Sequence, residues 1–218
     1  MSRLTRALLL CAACAGLFFL ATDAGASSNL LANPGFESGL AGWIAFGNAY
    51  PETSNPPSVV PLSGQGVAKM FGNFTGGFDV TGIFQPFATV PGTQYQMSSN
   101  ARHFSGDPLL GIGAASCATG CSDNWVVQKI VFKDAGNVEN GSAESVILDG
   151  TYPTDVWVAA APITATAPAG AVSVEVFILY LQPAGKPGAA QIDDVEFLDV
   201  TSVPTQPSTW GQLKGLYR

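Results

Sequence analysis

Residues 172–181 constrain this chain more than any other stretch. Apart from Ser173 and Glu175, every position there is β-branched, aromatic or leucine. Tight-turn sequences bracket the run, Pro168-Ala169-Gly170 before it and Lys186-Pro187-Gly188 after it. Such side chains lose rotamer freedom in a helix and pack well on a pleated surface, so the run predicts a strand held between turns. The same punctuation recurs along the chain. It predicts strands over 42–46, 67–71, 80–87, 95–102, 125–132, 146–148, 156–159, 163–167 and 191–200. Residues 48–61, with Pro51, Pro56 and Pro57, read as a loop, as do 103–124; 134–145 read as a polar hairpin or loop. No segment has a convincing helical period. The expected fold is all-β, a jelly-roll β-sandwich of two antiparallel sheets.

The ends do not belong to that pattern. Arg3 and Arg6 precede an apolar run over 7–20, and Ala24-Gly25-Ala26 has the form of a cleavage site. Residues 1–26 therefore read as a signal peptide, too short for a membrane span, and the mature chain is expected to be secreted, extracellular or at the cell surface. Without Arg3, Arg6 and Asp23, the charge is 9 − 2 = 7 basic against 16 − 1 = 15 acidic residues, or −8. With no basic cluster, nucleic acid is a poor partner, and so is an anionic membrane; no membrane insertion is expected after cleavage. Charged residues are sparse at 11%, but an apolar content of 47% with β-branched runs argues for a folded core over 27–200. Residues 201–209 carry Pro204 and Pro207 and read as a linker. Residues 210–218, from Trp210 to Arg218, are too short to fold alone and look like a peptide read by another protein.

Cys11 and Cys14 fall in the leader. Cys117 and Cys121 remain, and in an oxidising compartment they are expected to close a local disulfide. A soft-metal site would need more ligands than His103, the single histidine of the chain, can add. Catalysis is not expected either. There is no G-x-S-x-G, one histidine leaves little for a triad, and no pair of acids sits in a motif that marks it for glycoside chemistry.

A series of short motifs, in order, resembles one known family. Asn29-Leu30-Leu31, Asn33-Pro34-Gly35-Phe36-Glu37 and Gly42-Trp43 open it. Ser63-Gly64, Ile83-Phe84-Gln85, Val90-Pro91-Gly92-Thr93-Gln94-Tyr95, Ala101-Arg102, Val156-Trp157, 167–171 and Ile192-Asp193-Asp194-Val195 follow. The set spans about 29–199 and is similar to the CenC-like carbohydrate-binding modules of families 4, 9 and 22. The resemblance implies a jelly-roll sandwich whose first stretch is a strand and turn and whose last strand carries Asp193. It also implies a structural Ca²⁺ held by Glu37 and Asp193. Calcium takes six to eight oxygens, so backbone carbonyls of the turn 63–66 would complete the shell; Asp194, on the other strand face, is the poorer ligand.

A glycan is gripped by aromatic faces against C–H patches and by polar groups at its rim. Trp125, Phe74, Phe78, Tyr180 and Tyr50 are the candidate platforms. Gln85, Arg102, Gln182, His103 and Asp107 are the candidate polar contacts. Trp43 and Trp157 are assigned to the core. These readings lead to a secreted, non-catalytic binder of a polysaccharide or cell-surface glycan. The alternative is a structural or adhesive surface protein that uses the sandwich as a scaffold, its tail read by sorting or anchoring machinery.

Overall fold

The computed structural model describes residues 28–111 and 123–201. The leader, Cys117 and Cys121, and the linker and tail beyond Thr201 lie outside those residues. Among the described residues there are eleven strands and no helix: β1 (Ile44–Phe46), β2 (Asn48–Thr53), β3 (Gly66–Phe71), β4 (Asp79–Ala88), β5 (Gln94–His103), β6 (Trp125–Asp134), β7 (Glu139–Leu148), β8 (Val158–Ala159), β9 (Ile163–Thr166), β10 (Ala171–Gln182) and β11 (Ala189–Asp199).

They form two antiparallel sheets. The five-stranded sheet runs β1-β4-β10-β6-β7, and the six-stranded sheet runs β2-β3-β11-β5-β8 with β9 also on β5. Alternation decides what each strand gives to the space between them. On β10, Val174, Val176, Ile178 and Tyr180 point inward, and so do Val126, Ile130 and Phe132 on β6. Ala68, Met70, Met97, Ala101, Ile192 and Phe197 meet them from the other sheet. Tyr95 stacks on Phe197 at 4.8 Å and leans on Phe132 at 6.2 Å, joining the two layers. Burying an aromatic or branched aliphatic side chain contributes roughly 1.5–3 kcal/mol, so this seam is the main source of stability.

Three expectations change. Residues 29–37 form bends and turns, not an opening strand. They are nonetheless tied to β11: Leu30 N donates to Phe197 O, Val195 N to Pro34 O, and Asn29 bridges Val195 and Phe197 with its amide. β2 occupies part of the expected 48–61 loop; its Pro51 is tolerated because β2 is an edge strand, where a missing N–H costs little. β7 is ten residues long where a polar loop was expected, because an edge strand with both faces half-wet has no need of apolar alternation.

Candidate functional site: the trough on the five-stranded sheet

The outer face of an antiparallel sandwich sheet is normally polar. Here it is not. Outward on β6 stand Trp125, Val127, Lys129, Val131 and Lys133; outward on β10 stand Glu175, Phe177, Leu179 and Leu181; β4 adds Val80 and Phe84, and β1 adds Phe46. All but Phe84 line two hollows of about 290 and 390 Å³ that share Val80, Lys129 and Leu179 and so make one trough.

At one end the walls are aromatic. Phe84 and Phe177 stack at 4.9 Å, and Phe46 leans on Phe84 at 6.4 Å. Over them Lys133 Nζ pairs with Glu175 at 2.7 Å. Across the strand Lys129 pairs with Glu144 at 3.2 Å, and Glu139 completes the rim. Each pair offers N–H donors beside carboxylate acceptors, the combination that can bond both sides of a hydroxyl. At the other end Trp125 lines the hollow but shows only 5% of its surface, so it is floor and not a free platform.

The remaining sequence candidates scatter. Tyr180 is fully buried and points into the core; its hydroxyl donates to Gly188 O at 2.7 Å and accepts from Asn124 Nδ2 at 2.9 Å, and burial pushes its pKa up. It has no face to offer a sugar. Gln182 is also fully buried, accepting from Phe74 N and donating to Lys186 O. Gln85 faces inward and clamps Ala32 N and O. Arg102, 3% exposed, is held by Gln191 and Asp155 under the outer face of the other sheet. Hydrogen bonds from Ser105 keep Asp155 below the usual carboxylate range. His103 is buried too, with Nδ1 accepting from Leu109 N and Nε2 facing Tyr152 O. Asp107 lines a hollow of only about 30 Å³. Phe74 and Phe78 are exposed, at 48% and 65%, on the loop between β3 and β4. Trp43 is core, against Phe36 at 5.4 Å. Trp157 is only half-buried; its Nε1 donates to Val60 O and props the 54–62 loop.

Glu37 and Asp193 do reach one turn, as expected from either end of the domain. They meet its amides rather than its carbonyls. Asp193 Oδ2 accepts from Leu62 N and Ser63 N and Oδ1 from Asp194 N, while the Glu37 carboxylate accepts from Gln65 N and Gly66 N. Burial lifts Asp193 to about 6 against these bonds, which favour the anion. Among the described residues no group of three or more His, Cys, Asp or Glu side chains is placed to hold a metal. The two carboxylates would supply only part of a calcium shell, and backbone carbonyls of the turn would have to supply the rest.

The trough residues missed in the sequence are Phe46, Phe84, Phe177, Lys129, Lys133 and Glu175. The signal was there: β6 and β10 are apolar on both alternations, which a sandwich strand with one face outward does not need for the core alone.

No family model matches the chain, and no curated protein does either. Solved structures share its fold. The arabinose-bound α-L-arabinofuranosidase MgGH51 is 17% identical with a TM-score of 0.52; the likeness covers 81% of this chain and 27% of that one. TmCBM61, solved with β-1,4-galactotriose, is 18% identical with a TM-score of 0.50, covering 79% of this chain and 99% of that one. Carbohydrate-binding modules are thus among its structural neighbours, and the jelly-roll expectation is borne out at the level of fold.

Proposed function

We propose that this chain is an exported, non-catalytic module that holds a neutral glycan strand in the trough of the five-stranded sheet. One observation carries the reading: an outer sheet face that is aromatic and apolar, furrowed, and rimmed by Lys133–Glu175 and Lys129–Glu144. Phe177, backed by Phe84 and flanked by Phe46, would take the C–H face of a sugar. The ion pairs would bond its hydroxyls. Both lysines are already paired and acids outnumber bases along the rim, so a uronate or sulfated chain would meet repulsion. The ligand printed for TmCBM61, a β-1,4-galactotriose, supports the same ligand class.

A structural Ca²⁺ between Glu37 and Asp193 belongs to this reading. It would lock the turn 62–66 to β11 and take no part in ligand contact. Native mass spectrometry with and without chelator tests it; one calcium per chain, lost in Asp193→Asn, is expected. The function is tested by affinity electrophoresis in xylan, galactan, glucomannan and cellulose derivatives, with Phe46→Ala/Phe177→Ala as control. Retardation by at least one polymer, lost in the control, is expected. Silence across all of them would refute the reading and favour the scaffold alternative.

A further inference from the structure

A second aromatic surface lies on the other sheet. Tyr50 on β2, Phe71 on β3 and Phe74 on the following loop make a continuous ring ladder, Tyr50–Phe71 at 5.8 Å and Phe71–Phe74 at 6.1 Å, with planes within about 22° of parallel. Tyr50 is 50% exposed and Phe74 48%. Tyr50 and Phe71 are diagonal neighbours, since Tyr50 faces Lys69 and Phe71 lies two positions on along β3. That places the ladder on the six-stranded sheet, separate from the trough residues.

The ladder is held in place at a cost. Phe74 has φ of +57°, a region that a bulky non-glycine side chain enters only when its surroundings force it. Those surroundings are specific. Gln182, fully buried, accepts from Phe74 N with its amide oxygen at 3.0 Å. Asp79 takes both Asn73 N and Asn73 Nδ2, and Asn73 Oδ1 accepts from Thr75 Oγ1. Gly72 leaves the room for this, because a Cβ there would meet the Gln182 amide at 2.1 Å. A buried side chain and a carboxylate are thus committed to keeping a strained loop in the one shape that lays an apolar ring in water. Core packing gives no reason for it.

From this arrangement we infer that the Tyr50–Phe71–Phe74 ladder is a second, independent contact for the pyranose rings of a neutral glycan. The inference shares its ligand class with the trough reading but not its site. The area of the half-exposed rings, roughly 200–300 Å² together, matches one or two sugar rings and by itself is well short of the roughly 800 Å² that a folded partner covers. Charge excludes an anion. Lys69 is the nearby base and is tied to Glu52 at 3.0 Å, while Asp79 stands in the loop. What flanks the rings suits hydroxyls: the Tyr50 hydroxyl, 3.5 Å from Asn48 Oδ1, and the side chains of Asn73 and Thr75. Two contacts on one chain would add avidity for polymer over short oligomers.

The test is amide chemical-shift mapping of the full chain with xylohexaose, cellohexaose and β-1,4-galactohexaose, repeated in two double variants. Phe74→Gly/Tyr50→Ala removes the ladder, and glycine accepts the positive φ, so melting should shift by no more than about 4 °C. Phe46→Ala/Phe177→Ala removes the trough walls. Expected are shifts at 48–50 and 72–78 in the native chain and in the trough variant, but not in the ladder variant. Removing the ladder should also weaken binding to the matching polymer about tenfold, the worth of one stacking contact. Shifts confined to β6 and β10, unchanged in the ladder variant, would overturn this inference and leave the trough reading intact. Shifts confined to the ladder would do the reverse. No shift with any of the oligomers would overturn both. A native dimer in sedimentation that Phe74→Gly/Tyr50→Ala converts to monomer would assign the surface to a second copy and refute the glycan contact.

Discussion

Gly64→Ala is the perturbation whose outcome the structure fixes most closely. Gly64 has φ of +56°, and a Cβ there would stand 2.1 Å from Glu37 Oε1. Two costs follow. The left-handed backbone costs a non-glycine residue about 1–2 kcal/mol. The carboxylate sits at the end of a flexible, exposed side chain, so it would swing away rather than strain the backbone. In doing so it would give up its bonds to Gln65 N and Gly66 N, each worth about 0.5–1.5 kcal/mol in a partly wet setting. The sum is a destabilisation of about 2–5 kcal/mol, read by urea unfolding of the full chain with linear extrapolation. A double-mutant cycle separates the two costs. In a Glu37→Ala background the carboxylate bonds are already lost, so Gly64→Ala should cost only the backbone share, about 1–2 kcal/mol. Gly66→Ala is the contrast, because its Cβ would meet the Phe36 carbonyl at 2.2 Å, where the obstacle is main chain and cannot swing. Gly66→Ala should therefore be the worse lesion and show little coupling to Glu37→Ala. Additivity of Gly64→Ala and Glu37→Ala within about 0.5 kcal/mol would refute the reasoning.

Further outcomes rest on other parts of the fold. Tyr180→Phe strips Gly188 O of a buried donor and should cost about 1–3 kcal/mol in the same unfolding assay, without a change in glycan binding. Gln85→Ala leaves Ala32 N and O unpaired and should cost about 1–2 kcal/mol. The pH dependence of the chelated protein follows from Asp193, whose folded pKa is raised to about 6 by burial while its unfolded value is about 3.9. Between these values the unfolded chain binds fewer protons than the folded one, so stability should fall as pH rises from about 4 to about 6 and then level. Asp193→Asn should flatten that slope in thermal melts taken across the range.

The fold was legible because turn residues and β-branched runs report local conformation directly. Residues 172–181 and 191–200 gave away β10 and β11, the strands at the middle of the two sheets. Edge strands were the hard part. β2 carries Pro51, and β7 carries Glu139, Asn140 and Glu144, residues that a central strand would reject and an edge strand accepts. The site was much less legible. Tyr180 and Gln182 differ from Phe177 and Leu181 only in parity along one strand, and parity fixes which side of the sheet each faces. A polar tip on a β-strand suggests a ligand, yet here the polar tips of Tyr180, Gln182 and Gln85 satisfy buried loop backbone. The outward-facing phenylalanines of β10 and β1, Phe177 half-buried and Phe46 exposed, look like core. Only the pairing of strands, invisible in residue types, tells the two apart.

The order of strands along the chain has a kinetic consequence. β10 and β11 are central in their sheets, yet they come last among the described strands. Before they dock, β4 has no link to β6, and β3 has none to β5. The N-terminal strap likewise waits for residues 195–197, more than a hundred and sixty positions away along the chain. Contacts so distant must pay loop-closure entropy before they return anything, which puts folding in the slow regime of non-local sandwiches. A chain cut short of residue 171 would lose both central strands and be left as separate ribbons with unpaired inner edges, open to pairing with one another.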